Sequence, residues 1–250
     1  MFQPFEVARK RPAELYGGDV SDTLAVRQML VAGRTAWCER RFASEAREMT
    51  MGLRVVGAGV PRTGTSSLRQ ALEHLFGGRC CHMSALPGHP FDLGEAWDEA
   101  LSGAAADWDR LLGGFNAAVD WPASLFWREL GALNPEALVI LSVRENPEAW
   151  LQSLSATVLP VARRAQEGDW KQGRHLVAMF ERFAGTDRWD DPATLMDAYE
   201  RHNAQVRRTV PRRRFLEWRA TDGWGPLCRA LRVAVPAIPF PWTNRRYDWR

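Results

Sequence analysis

The stretch LRVVGAGVPRTGTSSLRQALEHLF, residues 53–76, decides the fold. Its first part, LRVVGAGV (53–60), is a short apolar, β-branched run bounded by glycine, as a buried parallel strand requires. The period then changes. Leu68, Ala71, Leu72, Leu75 and Phe76 recur at i, i+3, i+4, i+7 and i+8, one face of a helix, and Gly77-Gly78 stops it. Between strand and helix, Gly59, four residues, Gly64, Thr65 and Ser66 fit the G-x-x-x-x-G-x-[ST] spacing of a phosphate-binding loop, with Thr65 where lysine should stand. The first N–H groups of such a helix have no intrahelical acceptor, and with the helix dipole they favour an anion. Gly64 lets the backbone approach that anion. Hydroxyls from Thr63, Thr65, Ser66 and Ser67 and the guanidinium of Arg62 add donors. An ordinary strand–helix turn with hydroxyl caps is the competing reading. A leading Arg62 before four hydroxyl residues in five favours the anion site. The missing lysine argues against nucleoside triphosphate hydrolysis, where that residue reaches the β- and γ-phosphates.

The same alternation continues outward. Strands are predicted at RCCHMSAL (79–86), FNAAVDW (115–121), ALVILSV (137–143) and RFLEWR (214–219). A helix is predicted around 93–112, another from Pro122 to about Leu130, and one opening at Asn146-Pro147-Glu148 whose apolar face runs from Trp150 to Val158. Asp191-Pro192 starts a helix through about Arg208, and Gly225-Pro226 a short one. This pattern predicts an α/β fold of the P-loop kind, three layers α/β/α around a mostly parallel central sheet. Residues 51–250 form that domain. Residues 1–50, charged and weakly periodic, read as a peripheral N-terminal extension, helical near 22–32 and 36–48 or partly disordered.

Composition sets bounds on partners. Of 250 residues 46% are hydrophobic and 25% charged, enough to bury a core. A net charge of +3 does not imply nucleic acid and is compatible with a small polyanionic ligand. Cys38, Cys80, Cys81 and Cys228 show no C-x-x-C spacing, so neither metal ligation nor a disulfide framework is expected. No apolar run approaches the ~20 residues of a membrane span, and the charged N-terminus does not read as a secretion signal. A cytoplasmic location is the expectation, and oligomeric state is not legible.

Several ordered motifs carry a resemblance. VPRTGTSSL resembles the 5′-phosphosulfate-binding loop of sulfotransferases, with Pro61-Arg62-Thr63-Gly64-Thr65-Ser66 matching position by position and Arg62 in place of lysine. VDWPASLFWREL (119–130), LSVRENPEAWLQS (141–153), AYERHN (198–203) and FLEWRATDGWGPLCRAL (215–231) followed by FPWTN (240–244) resemble the small bacterial sulfotransferase-like family over roughly residues 51–245. The resemblance implies 3′-phosphoadenosine 5′-phosphosulfate (PAPS) as sulfuryl donor and no metal. It implies that residues 61–67 cradle the 5′ end, and that Arg144 and Ser153 hold the 3′-phosphate. Arg144 follows a strand, where α/β proteins place ligands, and Ser153 lies nine residues on against the cytosolic enzymes' eight. The tryptophan that stacks on adenine in those enzymes is absent near Ser67. Trp218 or Trp224 is the substitute, and Arg245-Arg246 a counterpart to their C-terminal basic signature.

Sulfuryl transfer needs in-line placement, charge neutralisation on the leaving oxygen and removal of the acceptor's proton. Arg62 suits the second task. Asp120, closing the AAVD strand, suits the third, with His82 as competitor. Asp120 equally suits a cap on the helix that Pro122 begins. The acceptor, a small molecule of apolar or aromatic character, would meet segments 84–115 and 155–190, which carry Trp97, Trp108, Phe115, Trp170, Phe180 and Phe183. Helical core packing accounts for the same aromatics. The alternatives are a P-loop small-molecule kinase or NTPase and a catalytically silent nucleotide-binding protein on the same fold.

Overall fold

The computed structural model describes residues 52–86, 93–168 and 173–243, all within the unit Met49–Arg250. Its sheet has five strands, β1 (Val55–Gly57), β2 (Cys80–Cys81), β3 (Ala117–Ala118), β4 (Leu138–Ser142) and β5 (Phe215–Trp218), in the order β2-β3-β1-β4-β5. Every pairing is parallel. All five strands fall inside the stretches that the sequence predicts. Successive residues point to opposite faces, which splits the core in two. Val55, Ala117, Val119 and Ile140 pack under α1 (Thr65–Phe76) and α9 (Trp224–Leu231). Val56, Ala118, Val139 and Leu141 pack on the other face, under α4 (Trp127–Leu133), α5 (Pro147–Ser155) and α8 (Pro192–Thr209). The result is the three-layer α/β/α arrangement.

The remaining helices are α2 (Glu95–Leu101), α3 (Trp108–Leu112), α6 (Val158–Glu167) and α7 (Arg174–Ala184). Three differ from expectation for local reasons. The helix over 93–112 is two: Gly103, at φ 91, turns the chain after α2, and the Asp107 carboxylate restarts it by accepting from the Arg110 N–H at 3.0 Å. The segment after Pro122 begins as a 3-10 turn, Ala123–Phe126, before α4. The helix from Pro147 stops at Ser155, where Thr157 Oγ1 donates to the Ser153 carbonyl at 2.7 Å, so Val158 opens α6 instead. Helix α7 was not anticipated. The predicted caps do form: Asn146 Oδ1 accepts from Ala149 N at 2.7 Å, and Asp191 Oδ2 from Thr194 N at 2.8 Å. These bonds from Thr194 hold the exposed Asp191 carboxyl below its usual range. The extension 1–50, Trp170 and Arg245-Arg246 lie outside the described residues.

Candidate functional site

The loop between β1 and α1 sits at the carboxyl end of the sheet, gripped from three sides. On the strand side, the Ala58 N–H donates to the Ile140 carbonyl at 2.8 Å. Gly59 lies so close to β4 that a Cβ there would stand 1.9 Å from Ser142 Oγ and 2.7 Å from the Ser142 carbonyl. Thr63 Oγ1 donates to the Val60 carbonyl at 2.7 Å, which leaves Ser142 as donor in the 2.6 Å bond between the two hydroxyls. From the helical layer, Trp150 Nε1 donates to the Pro61 carbonyl at 2.9 Å and His202 Nε2 to the Ala58 carbonyl at 2.7 Å. Burial pushes the His202 pKa down, which keeps the ring neutral in that donor role. From beyond β5, Ala220 Cβ would stand 2.9 Å from a Cβ on Gly64.

This scaffold forces two residues into left-handed backbone, Arg62 at φ 69 and Gly64 at φ 92. For arginine that conformation costs roughly 1–2 kcal/mol. Strain of this kind persists where surrounding contacts over-determine it, often at functional sites. The grip on Pro61 and the bond from Arg62 Nε to Ser153 Oγ, 3.2 Å, are such contacts. Trp150 and Ser153 stand three residues apart on one face of α5, so a single helix face holds both Pro61 and Arg62. The first α-helical bond of α1 runs from Leu68 N to the Gly64 carbonyl. The N–H groups before it point out of the helix end, beside Arg62.

The hydroxyls of the loop divide. Thr63 is part of the scaffold, and Ser67 Oγ, buried, accepts from the Thr243 N–H at 3.1 Å, docking the C-terminal segment on α1. Thr65 and Ser66 turn the other way, each with its Oγ 3.3 Å from His82 Nε2. His82 also meets Asp120: Nε2 lies 3.3 Å from Oδ2, and both side chains are buried. The structure thus joins the two residues that the sequence set in competition. His82 Nδ1 accepts from the Ser84 N–H at 3.1 Å, so in the neutral ring the proton is on Nε2. Asp120 Oδ1 is buried and makes no hydrogen bond among the described residues. Asp120 is left-handed, φ 65, and its carbonyl rather than its carboxylate accepts the Ser124 N–H, at 2.8 Å. The capping alternative is therefore met by the backbone, and the carboxylate faces His82. Burial and then the Asp120 charge push the Cys81 thiol up to about 12, which leaves it protonated and inert.

Arg62, Thr65, Ser66, His82 and Asp120 all line one cavity of about 270 Å³, whose apolar walls come from Met83, Trp121, Val158 and Leu176. Of the aromatics expected at an acceptor pocket, the described ones lie in the core or pack against it and do not line this cavity. Trp97, Trp108 and Phe126 form one cluster, with Trp108 and Phe126 centroids 5.1 Å apart. Phe180 buttresses Trp121 edge-on at 4.9 Å. Phe183 packs between Trp121 and Trp150, and Phe115 lies under the Arg79 guanidinium. Trp218 and Trp224 are buried around Phe240 with their N–H groups on the Gly223 and Ile238 carbonyls, which leaves no open face for adenine.

Arg144 stands two residues beyond Ser142. Its N–H donates to Tyr199 Oη at 3.0 Å, and its guanidinium, 37% exposed, rests 3.2 Å from Glu145. Sequence reasoning missed Ser84, Ser142, Tyr199 and His202, which position the site without carrying a recognisable motif. Nothing within AYERHN shows that Tyr199 and His202, i and i+3 on α8, face the ends of β4 and β1.

A glycine-shaped loop at the carboxyl edge of a parallel sheet, leading into a helix and facing a buried acid–imidazole pair, gives this three-layer α/β/α protein a candidate site at the end of its sheet. Residues 54–249 match the family model described as a sulfotransferase domain, and the chain belongs to that family. It is similar to a protein of Aspergillus versicolor, "Ava biosynthesis cluster protein M", at 31% identity over 76% of this chain and 80% of that one. Among the described residues no group of three or more His, Cys, Asp or Glu is arranged to hold a metal, and no helix is long and apolar enough to cross a membrane.

Proposed function

We propose that this sulfotransferase-family protein moves a sulfuryl group from PAPS to a hydroxyl or amine of a small acceptor. One observation carries the proposal: the phosphate loop with Arg62 and the His82–Asp120 pair open into the same cavity. The residues suit the donor. The amides at the start of α1 and Arg62 offer hydrogen bonds and charge to a 5′-phosphosulfate. Arg144, whose guanidinium pairs with the exposed Glu145, is available for the 3′-phosphate by exchanging Glu145 for a stronger anion. Ser153 reaches this donor site through Arg62, whose guanidinium it orients.

Asp120 is the base. His82 has its Nδ1 lone pair engaged by Ser84 and its Nε2 turned to Asp120 Oδ2, so Oδ1, buried and without a hydrogen bond among the described residues, is the carboxylate oxygen left to take a proton. Asp120 takes the acceptor's proton as the new oxygen–sulfur bond forms, and the bond from sulfur to the 5′-phosphate oxygen breaks. Arg62 stabilises the charge that this leaves on the phosphate. A guanidinium does not surrender its proton, so Arg62 works by charge alone. The fungal relative's name places it in a biosynthesis cluster, which supports a small-molecule acceptor.

Thermal unfolding with 3′-phosphoadenosine 5′-phosphate against ATP-Mg tests the donor assignment. At 100 times its Kd the first ligand adds about 2.7 kcal/mol of apparent stability. Stabilisation by ATP-Mg alone would replace this reading with a kinase. Nucleotide binding without sulfuryl transfer to any acceptor would favour a silent nucleotide-binding protein.

A further inference from the structure

Arg69 is half-buried on α1, three residues after Ser66 and four after Thr65, so it shares their face and lines the same cavity as the His82–Asp120 pair. Its Nε is buried and has no hydrogen-bond partner among the described residues. Its nearest counter-charge is loose: Nη1 stands 3.6 Å from Glu73 Oε2, while the other oxygen of Glu73 accepts from the Cys80 N–H at 3.3 Å. A guanidinium that lines a cavity while its ion pair is this long can turn its charge to an anion bound there. Gln70, next to it, adds a second polar group to the same wall.

From this arrangement we infer that the acceptor carries a carboxylate, which Arg69 binds. The inference rests on the sulfotransferase reading of the cavity and names its substrate class. Arg62 serves the donor and Asp120 the reacting hydroxyl. An acidic acceptor brought alongside Asp120 and a polyanionic donor needs a cation of its own, and Arg69 supplies it. Met83, Trp121, Val158 and Leu176 line the same cavity and offer an apolar wall to the rest of the acceptor. The class is a hydroxy acid with an aromatic or compact apolar body.

The test is calorimetric titration of the full chain, saturated with 3′-phosphoadenosine 5′-phosphate, with 4-hydroxyphenylacetate and with its neutral isostere 4-hydroxyphenylacetamide. The wild type binds the carboxylate at least tenfold more tightly than the amide. Arg69→Gln abolishes that ratio, Arg69→Lys keeps part of it, and neither changes affinity for the nucleotide by more than twofold. Equal affinity for the two probes, or no binding of the carboxylate, overturns the inference while leaving the sulfotransferase reading intact. A parallel loss of nucleotide affinity in Arg69→Gln overturns it as well, by assigning the guanidinium to the donor. Failure of the wild type to bind the nucleotide at all sinks the sulfotransferase reading, and this one with it.

Discussion

Replacing Gly59 with alanine tests whether the phosphate loop owes its shape to its contact with β4. The new methyl would meet Ser142 Oγ at 1.9 Å, the Ser142 carbonyl at 2.7 Å and the Ser142 N at 2.8 Å, where ordinary contact begins at 3.4 Å. The hydroxyl can swing aside, but the backbone atoms cannot, so the loop must lift from the strand by about 0.7 Å. Overpacking of this kind costs about 1–3 kcal/mol. Separation of Thr63 from Ser142 forfeits a hydrogen bond of roughly 0.5–1.5 kcal/mol. Urea denaturation should therefore show a loss of about 2–4 kcal/mol. The same lift would move Arg62 and the α1 amides off the donor proposed for them, and a displacement near 1 Å costs on the order of 10²-fold in rate. Ser142→Gly in the Gly59→Ala background removes only the hydroxyl conflict, so it restores little stability and no nucleotide affinity. The reasoning is refuted if Gly59→Ala unfolds within 0.5 kcal/mol (roughly the scatter of neutral surface changes) of the wild type and binds 3′-phosphoadenosine 5′-phosphate equally well.

Two further predictions concern the groups around the loop. Asp120→Asn should lower turnover by ~10²–10⁴-fold, the usual worth of a general base, with nucleotide affinity preserved; normal turnover would remove Asp120 from the mechanism. Burial holds the His202 imidazole below its ordinary 6.5, so the unfolded chain takes up a proton that the folded chain refuses as pH falls below that value. This contribution is full above about pH 6.5 and declines below it, by up to ~1.4 kcal/mol per pH unit. His202→Gln keeps a donor for the Ala58 carbonyl without a titrating group, so its melting temperature should fall less steeply between pH 6.5 and 5. Parallel profiles for the two proteins would show that His202 is not the group responsible.

The strands were legible because burial on both faces leaves continuous apolar runs bounded by glycine, a pattern that survives without tertiary information. The loop was legible for a different reason: Gly59 and Gly64 are dictated by contacts with Ser142 and Ala220, and a requirement for no side chain leaves a mark in the sequence. The long helix over 93–112 was misread because its apolar positions keep helical spacing across a break made by Gly103 and Asp107. The aromatics were harder still. Trp97 and Phe180 have the composition of an apolar ligand pocket and the spacing of a core, and only the fold distinguishes these. His82 and Asp120 stood as rivals because two strand ends far apart in sequence carry them. Parallel pairing of β2 with β3 places both at one edge of the sheet. Arg69 carries no mark in the sequence, since nothing in its neighbours reveals that a cavity opens there.

A crystal structure of the complex with 3′-phosphoadenosine 5′-phosphate tests the central claim most directly. It should show the 5′-phosphate on the first amides of α1 with Arg62 alongside, and the 3′-phosphate on the Arg144 guanidinium, drawn away from Glu145. A nucleotide seated elsewhere, or one whose 3′-phosphate does not reach Arg144, would contradict the account.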